Sequence, residues 1–305
     1  MNKVVIVCGP TASGKTVFAH ALAERYNGEI VNADSMQIYR QLPIITASPP
    51  DRLTQQLPYH LYNFQDVQEE FSAVKYVQIA GQIISGITQR KRLPIIVGGS
   101  GLYINMLIYG YNNMPDITPE NRTKARELHQ LLGAEEFFNQ LQYIDPQSSL
   151  LLHPSDKQRT IRAYEIALQT GKSIVEYQQQ AKISPLSGFD IQVLLLMPER
   201  KMLYESCNTR FCKLFAEAMD EIKNIHKLQI DKNLSSMKAL GVAEIIDYLE
   251  GNLSAEQAIE LATTKTRQYA KRQCTWFNNQ IKNKKIITFN NLDEYNDILN
   301  SLPIN

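Results

Sequence analysis

Apolar residues in this chain fall into short continuous runs separated by longer amphipathic stretches. VVIVC, EIVNAD, HLYNF and LPIIVGG in the first hundred residues, and IQVLLLM (Ile191 to Met197) later, have strand length. Strands that are apolar throughout, with helical patterns between them, predict a parallel sheet covered by helices on its faces. TVFAHALAERY and AVKYVQIAGQIISGITQ supply two such helices. From about Tyr111 to Gly188 the pattern becomes helical and more polar. RTKARELHQLLG, AEEFFNQLQ and SDKQRTIRAYEIALQTG are three helix candidates there, the last capped by Ser155 or Asp156. The expected architecture is therefore α/β, with a core of residues 1–110 and 189–305 and a small helical domain, 111–188, inserted into it. ERKMLYESCNTRFCKLFAEAMDEIKNI and SAEQAIELATTKTRQYAKRQCTWFNNQIK predict long helices, KKIITF predicts a final edge strand, and the tail beyond it is weakly patterned.

Composition narrows the classes. With 305 residues a large core can be buried, and a net charge of +1 lends no global support to nucleic-acid binding. Cys8, Cys207, Cys212 and Cys274 form no CxxC pair, and the histidines form no HxxxH. Structural zinc and a disulfide framework are not expected, and a reducing cytoplasm fits. No stretch approaches the ~20 apolar residues of a membrane span, and the N-terminal apolar run is too short for a signal sequence. No membrane association is expected.

Chemistry starts at GPTASGKT: Gly9, Pro10, Thr11, Ala12, Ser13, Gly14, Lys15 and Thr16, directly after VVIVC. The glycines allow a turn tight enough to aim backbone N–H groups inward, Lys15 adds a point charge, and the Thr16 hydroxyl suits Mg²⁺. The helix that opens next points its positive end at the same place. This is a phosphate-binding loop of the P-loop type, and alone it does not distinguish ATP from any other pyrophosphate.

In an open α/β sheet the carboxyl ends of the strands line the ligand crevice. The second strand ends in NADSMQIY, which brings Asp34 beside the phosphate loop as a metal ligand or proton acceptor, with Ser35 and Gln37 available to a polar substrate. The alternative is a plain helix N-cap by Asp34 or Ser35. LPIIV ends in GGSGLY, where Ser100 offers a hydroxyl, although such a turn alone is often only a turn. From Thr263 to Lys285 stand Lys265, Arg267, Lys271, Arg272, Lys282, Lys284 and Lys285 with no acidic residue, interleaved with Tyr269, Trp276 and Phe277. Such a run is commonly a solvated helix face. The interleaved aromatics and a second basic group, Lys157, Arg159 and Arg162, favour binding to a nucleic-acid backbone.

GPTASGKT, NADSMQIYR, GGSGLY, DKQRTIRAYE and TRQYAKRQCTWF, in this order and spacing over residues 9–278, resemble the tRNA dimethylallyltransferases. The resemblance implies a P-loop NTPase-like core and transfer of a dimethylallyl group from dimethylallyl diphosphate to N6 of adenine-37, beside the anticodon, with release of pyrophosphate. It implies Mg²⁺ as cofactor and tRNA recognised at its anticodon stem-loop; a monomer is expected, although the sequence does not determine the oligomeric state. Residues 9–16 would hold the diphosphate, Lys15 would stabilise the leaving group, and Asp34 would be the base. Ser100, where the family usually has threonine, and Arg122 would stand near the reacting groups and contact tRNA. Asp34, Ser35, Met36 and Gln37, then Gln158, Arg159, Thr160, Ile161 and Arg162, then Lys271, Arg272, Gln273 and Trp276 match tRNA-contacting segments. Two places depart from the pattern: ITASP (Ile45 to Pro49) replaces a GTAKP-like run, and ALGVAE (Ala239 to Glu244) has Val242 and Ala243 in place of a tyrosine and a basic residue. A small-molecule kinase remains the rival for the loop and Asp34, and a nucleotide-gated RNA-binding protein the rival for the basic run.

Overall fold

The structure, a computed structural model, describes residues 2–301. In chain order the elements are β1 (Asn2–Cys8), α1 (Lys15–Arg25), β2 (Gly28–Asn32), α2 (Asp51–Thr54), β3 (Tyr59–His60), α3 (Ala73–Gln89), β4 (Leu93–Gly98), α4 (Gly101–Tyr109), α5 (Pro119–Ile144), α6 (Pro146–Ser149), α7 (Lys157–Thr170) and α8 (Ile174–Gln178). Then follow β5 (Phe189–Leu196), α9 (Arg200–Glu217), α10 (Met219–Lys227), a 3-10 turn (Ser236–Lys238), α11 (Val242–Leu249), α12 (Ala255–Gln280), β6 (Lys284–Ile287) and α13 (Leu292–Ser301). Two compact units result, one of Met1–Ile108 with Pro185–Asn305 and one of Tyr109–Ser184.

The first unit is built on a six-stranded sheet in the order β3-β2-β4-β1-β5-β6. Every pairing is parallel, as the uniformly apolar strands predicted. Val4–Cys8 of the central β1 are completely buried, in register with Ile95–Gly98 of β4 and Ile191–Leu195 of β5. Phe18, Ala19, Leu22 and Ala23 of α1 pack on one face of the sheet. A second apolar cluster joins Ile38, Tyr39, Leu42 and Ile45, from the loop after β2, to Phe211, Phe215, Ile222, Val242 and Ala262 of the helices after β5.

Three details differ from the pattern reading. Of HLYNF only His60 pairs, together with Tyr59 before it, because Leu61 (φ 63°) and Asn63 (φ 50°) take left-handed backbone that a strand cannot continue. The long helix predicted from Glu199 is two helices meeting at Ala218, a fully buried corner. The weakly patterned tail forms α13, whose Tyr295 packs edge-on against Phe18 and Phe289.

The second unit is helical. Its longest helix bends at Gly133 (φ 75°), the glycine between RTKARELHQLLG and AEEFFNQLQ. Ala125, Phe137, Phe138, Leu141, Ala163 and Tyr164 form its core between α5 and α7. Asp156, not Ser155, caps α7, accepting from the Arg159 N–H.

Candidate active site

Three loops at the carboxyl ends of β1, β2 and β4 converge in the first unit, where the chain's crossovers diverge from β1. The loop after β1 curls tightly, with left-handed backbone at Ala12 (φ 62°) and Gly14 (φ 79°), before α1 opens at Lys15. Lys15 Nζ donates to the Pro10 carbonyl at 2.7 Å. Burial pushes its pKa down to about 8, with Asp34 opposing the shift and Arg210 adding to it. Ser13 Oγ is buried without a hydrogen-bond partner, which in a loop of this shape leaves a polar atom for a bound oxyanion. Thr16 occupies the first turn of α1.

After β2 the chain turns instead of starting a helix, so neither Asp34 nor Ser35 is a helix N-cap. The Met36 N–H donates to Asp34 Oδ1 at 3.0 Å, and the Asp34 N–H donates to Asn32 Oδ1 at 2.8 Å. Oδ2 is left facing Gly99, 3.6 Å from where a β-carbon would stand on that glycine. Ser100 binds the same turn: its Oγ accepts from the Ser35 N–H at 2.7 Å and lies 3.0 Å from Ser35 Oγ. The Ser100 N–H also donates to the Ala33 carbonyl at 3.1 Å, so the ends of β2 and β4 are tied together.

Helix α12 closes the site. Gln273, 6% exposed, accepts from the Thr11 N–H at 2.8 Å and donates to the Gly99 carbonyl at 2.8 Å. One turn on, the Trp276 indole packs so closely on Gly101 that a β-carbon there would lie 2.5 Å from its Cζ3. Lys271 and Arg272 are exposed on the other side of the helix. A shallow recess of about 510 Å³ runs along that side, lined by Gln268, Lys271, Arg272, Thr275, Trp276, Asn279 and Gln280.

Several residues matched to tRNA contacts are used otherwise. Gln273 is the internal tie just described. Met36 packs against the apolar cluster under the loop after β2, and Gln37 Nε2 donates to the carbonyls of Thr46 and Ala47 at 3.1 and 2.9 Å. In the second unit, Thr160 is buried with Oγ1 donating to its own helix's carbonyls, and Ile161 packs on the unit's core. Arg162 pairs with Glu165 at 3.2 Å, while Gln158 and Arg159 are exposed. Arg122 lies in the first turns of α5. Ile45 and Val242, in the two departing segments, are buried core residues.

Arg210 on α9 is the residue that motif reading missed. Its guanidinium donates to Thr11 Oγ1 at 2.6 Å and is buried deeply enough to hold its pKa below the ordinary value, with Cys207 and Asp34 opposing. A signal was present, since Leu203, Cys207, Phe211 and Leu214 mark the buried stripe of α9 and Arg210 falls on it at helical spacing. An arginine on a core stripe faces something anionic or polar. Tyr295 from the tail also reaches the loop, donating to the Gly14 carbonyl at 3.2 Å.

The model of the family described as IPP transferase matches residues 37–280. A tRNA dimethylallyltransferase of Rickettsia felis is 48% identical over 303 residues, 99% of this chain and 98% of the relative. One from Rickettsia bellii is 47% identical over 304 residues, 99% of this chain and 96% of the relative. Among solved structures, the tRNA isopentenylpyrophosphate transferase of Bacillus halodurans superposes with a TM-score of 0.68 at 32% identity, covering 98% of this chain and 95% of that one. A eukaryotic dimethylallyltransferase acting on tRNA gives a TM-score of 0.81 at 27% identity, covering 100% and 81%. The full-length matches include the phosphate loop, which precedes the range of the family model.

Proposed function

The chain belongs to the IPP transferase family, and we infer from this that it is a tRNA dimethylallyltransferase, moving a dimethylallyl group from dimethylallyl diphosphate to N6 of adenine-37. The observation that best supports the assignment of its parts is the meeting of Lys15, Asp34 Oδ2 and the Gly99 turn at one sheet edge under α12. An allylic C–O bond breaks readily when the departing diphosphate is stabilised. Lys15, Arg210 and the free Ser13 hydroxyl supply that stabilisation, the two cations being desolvated where they stand. Mg²⁺ suits the hard oxygen donors here, and the Thr16 hydroxyl would help to hold it. When bound it neutralises charge on the diphosphate.

The adenine N6 lone pair is delocalised into the ring and is a poor nucleophile. Asp34 accepts its proton through Oδ2, while Oδ1 stays with the Met36 N–H and fixes the carboxylate. Ser100 acts by holding the turn that carries Asp34, with its hydroxyl beside Ser35. The base must leave its stack to reach this depth. Lys271 and Arg272, exposed on the outer side of α12, are the residues we assign to phosphates of the anticodon stem-loop, and in the second unit Gln158 and Arg159 are exposed on α7. The test is incubation with dimethylallyl diphosphate, Mg²⁺ and unmodified tRNA, followed by mass analysis of the nucleosides. The expected product is N6-(dimethylallyl)adenosine without ATP. Robust tRNA-independent ATP turnover in its place would overturn the reading in favour of a kinase.

A further inference from the structure

The inner face of α12 buries Gln273, and its outer face exposes Lys271 and Arg272. On the inner face, Gln273 spans two loops that carry opposite hydrogen-bonding polarity, a free N–H at Thr11 and a free carbonyl at Gly99. A carboxamide matches that pair because one end only accepts and the other only donates. A carboxylate would set an oxygen against the Gly99 carbonyl, and an apolar side chain would leave both groups buried and unpaired. Space is reserved for the bond as well: a β-carbon on residue 99 would lie 2.6 Å from Gln273 Nε2. The Thr11 N–H, committed to Gln273, is thereby withdrawn from the set of loop amides that can face an anion. Thr11 is held from a second side by Arg210.

The same helical turn presents Lys271 and Arg272 outward, and Trp276 one turn later rests on Gly101. A displacement of α12 by a polyanion on its outer face would carry Gln273 with it, and Gln273 is bonded to both Thr11 and Gly99. We propose that Gln273 is a positioning residue that couples RNA docking on the outer face of α12 to the geometry of the diphosphate loop. The proposal rests on the functional reading above, in which the loop holds the diphosphate and this face of α12 meets RNA.

The experiment measures pyrophosphate affinity by calorimetry in the presence of Mg²⁺, with and without an anticodon stem-loop carrying uridine in place of the acceptor adenine. That substitution removes the acceptor base from the site and leaves the phosphate backbone. In the wild type, RNA should change pyrophosphate affinity by a factor within the usual 5- to 150-fold span of such couplings, roughly. In Gln273→Met and Gln273→Glu at neutral pH the factor should fall to about one, by the same linkage. Binary RNA affinity and its salt dependence should remain those of the wild type. Gln273→Glu carries a second readout. As pH falls and the buried carboxyl protonates, it regains one donor and one acceptor, so coupling should return in this variant and not in Gln273→Met.

Full coupling in a folded Gln273→Met would overturn the proposal, as would independent binding of the two ligands to the wild type. If Gln273→Met does not fold, the Glu variant decides through its pH dependence, and coupling that does not return on acidification counts against the proposal. A wild type that binds neither pyrophosphate nor RNA removes the functional reading and this inference with it. Binding of both without coupling removes the inference alone.

Discussion

Replacing Lys15 by Met should separate the price of the buried ammonium from its use. The ammonium is held among Pro10, Arg210 and the loop backbone, and its pKa is pushed from 10.5 to about 8, chiefly by burial. Below pH 8 both folded and unfolded chains carry the proton, and the fold bears the full cost of the charge. Between about 8 and 10.5 the unfolded lysine is protonated and the folded one is not, so the unfolded state binds more protons and stability rises with pH. At 1.36 kcal/mol per unit the whole shift amounts to at most about 3 kcal/mol. Lys15→Met has no such term. Loss of the bond to the Pro10 carbonyl affects the variant similarly at all pH values, and other titrating groups are shared. Urea unfolding from pH 7 to 10, followed by circular dichroism, should therefore show wild type gaining on the variant by up to about 1.4 kcal/mol per pH unit above pH 8. Saturating pyrophosphate with Mg²⁺ should stabilise the wild type, by about 2.7 kcal/mol at one hundred times the Kd, and leave the variant nearly unmoved. Transfer activity should drop by ~10²–10³. Parallel stability curves across this pH range would refute the reasoning, because they would mean that Lys15 is not desolvated.

Three further outcomes are expected. Asp34→Asn keeps an acceptor for the Met36 N–H and loses only the base, so turnover should fall by ~10²–10⁴ with tRNA affinity unchanged; normal turnover would leave Asp34 as a turn former. Lys271→Ala with Arg272→Ala should shrink the slope of log affinity against log salt for an anticodon stem-loop by roughly 1.4–1.8 units, without changing dimethylallyl diphosphate binding; an unchanged slope in the folded double variant would make the run a solvated helix face. Gly101→Ala drives a methyl into the Trp276 indole and should cost about 1–3 kcal/mol in denaturant unfolding; an unmoved midpoint would show α12 free to shift.

The parallel sheet was legible because β1, β4 and β5 are buried on both faces and so read as unbroken apolar runs. HLYNF was expected as a strand of the same kind, and its early end was not legible. The left-handed turn at Leu61 is fixed from elsewhere, by Asn32 Nδ2 donating to the Leu61 carbonyl at 2.8 Å. Meeting of the phosphate loop, Asp34 and Ser100 followed from topology alone, since strand ends in such a sheet share an edge. What Ser100 does there was beyond reach: its hydroxyl is bound to Ser35, and only the geometry of both turns shows it. Arg210 escaped motif reading, and Gln273 was matched to tRNA contact instead of to the loops it ties, because each is a polar residue on a largely apolar helical stripe. Ala262, Thr266, Ala270, Gln273 and Phe277 trace the buried face of α12, just as Leu203, Cys207 and Phe211 do beside Arg210. Periodicity marks such positions as inward, and the chemistry then requires a polar partner that the sequence does not name.

The basic run shows why charge alone could not decide between a solvated face and an RNA surface. Its cations do three different jobs. Lys265 pairs with the buried Glu244 at 2.6 Å, and Arg267 donates to Asn208 at 2.6 Å. Lys284 donates to the carbonyls of Asn278 and Ile281 at 2.7 and 2.6 Å, closing the end of α12. Those three serve the fold. Lys271 and Arg272 are exposed beside the recess on the outer side of the helix. Seven phosphate contacts would give a salt slope of about −5 to −6, whereas the outward pair accounts for about −1.4 to −1.8. Under the proposed function α12 meets RNA with few charges, because Lys265, Arg267 and Lys284 are already engaged within the fold. A tenfold change in RNA affinity on this face is within the reach of two residues. In the coupling proposed above, a change in the loop's geometry passes through Gln273 of the same helix.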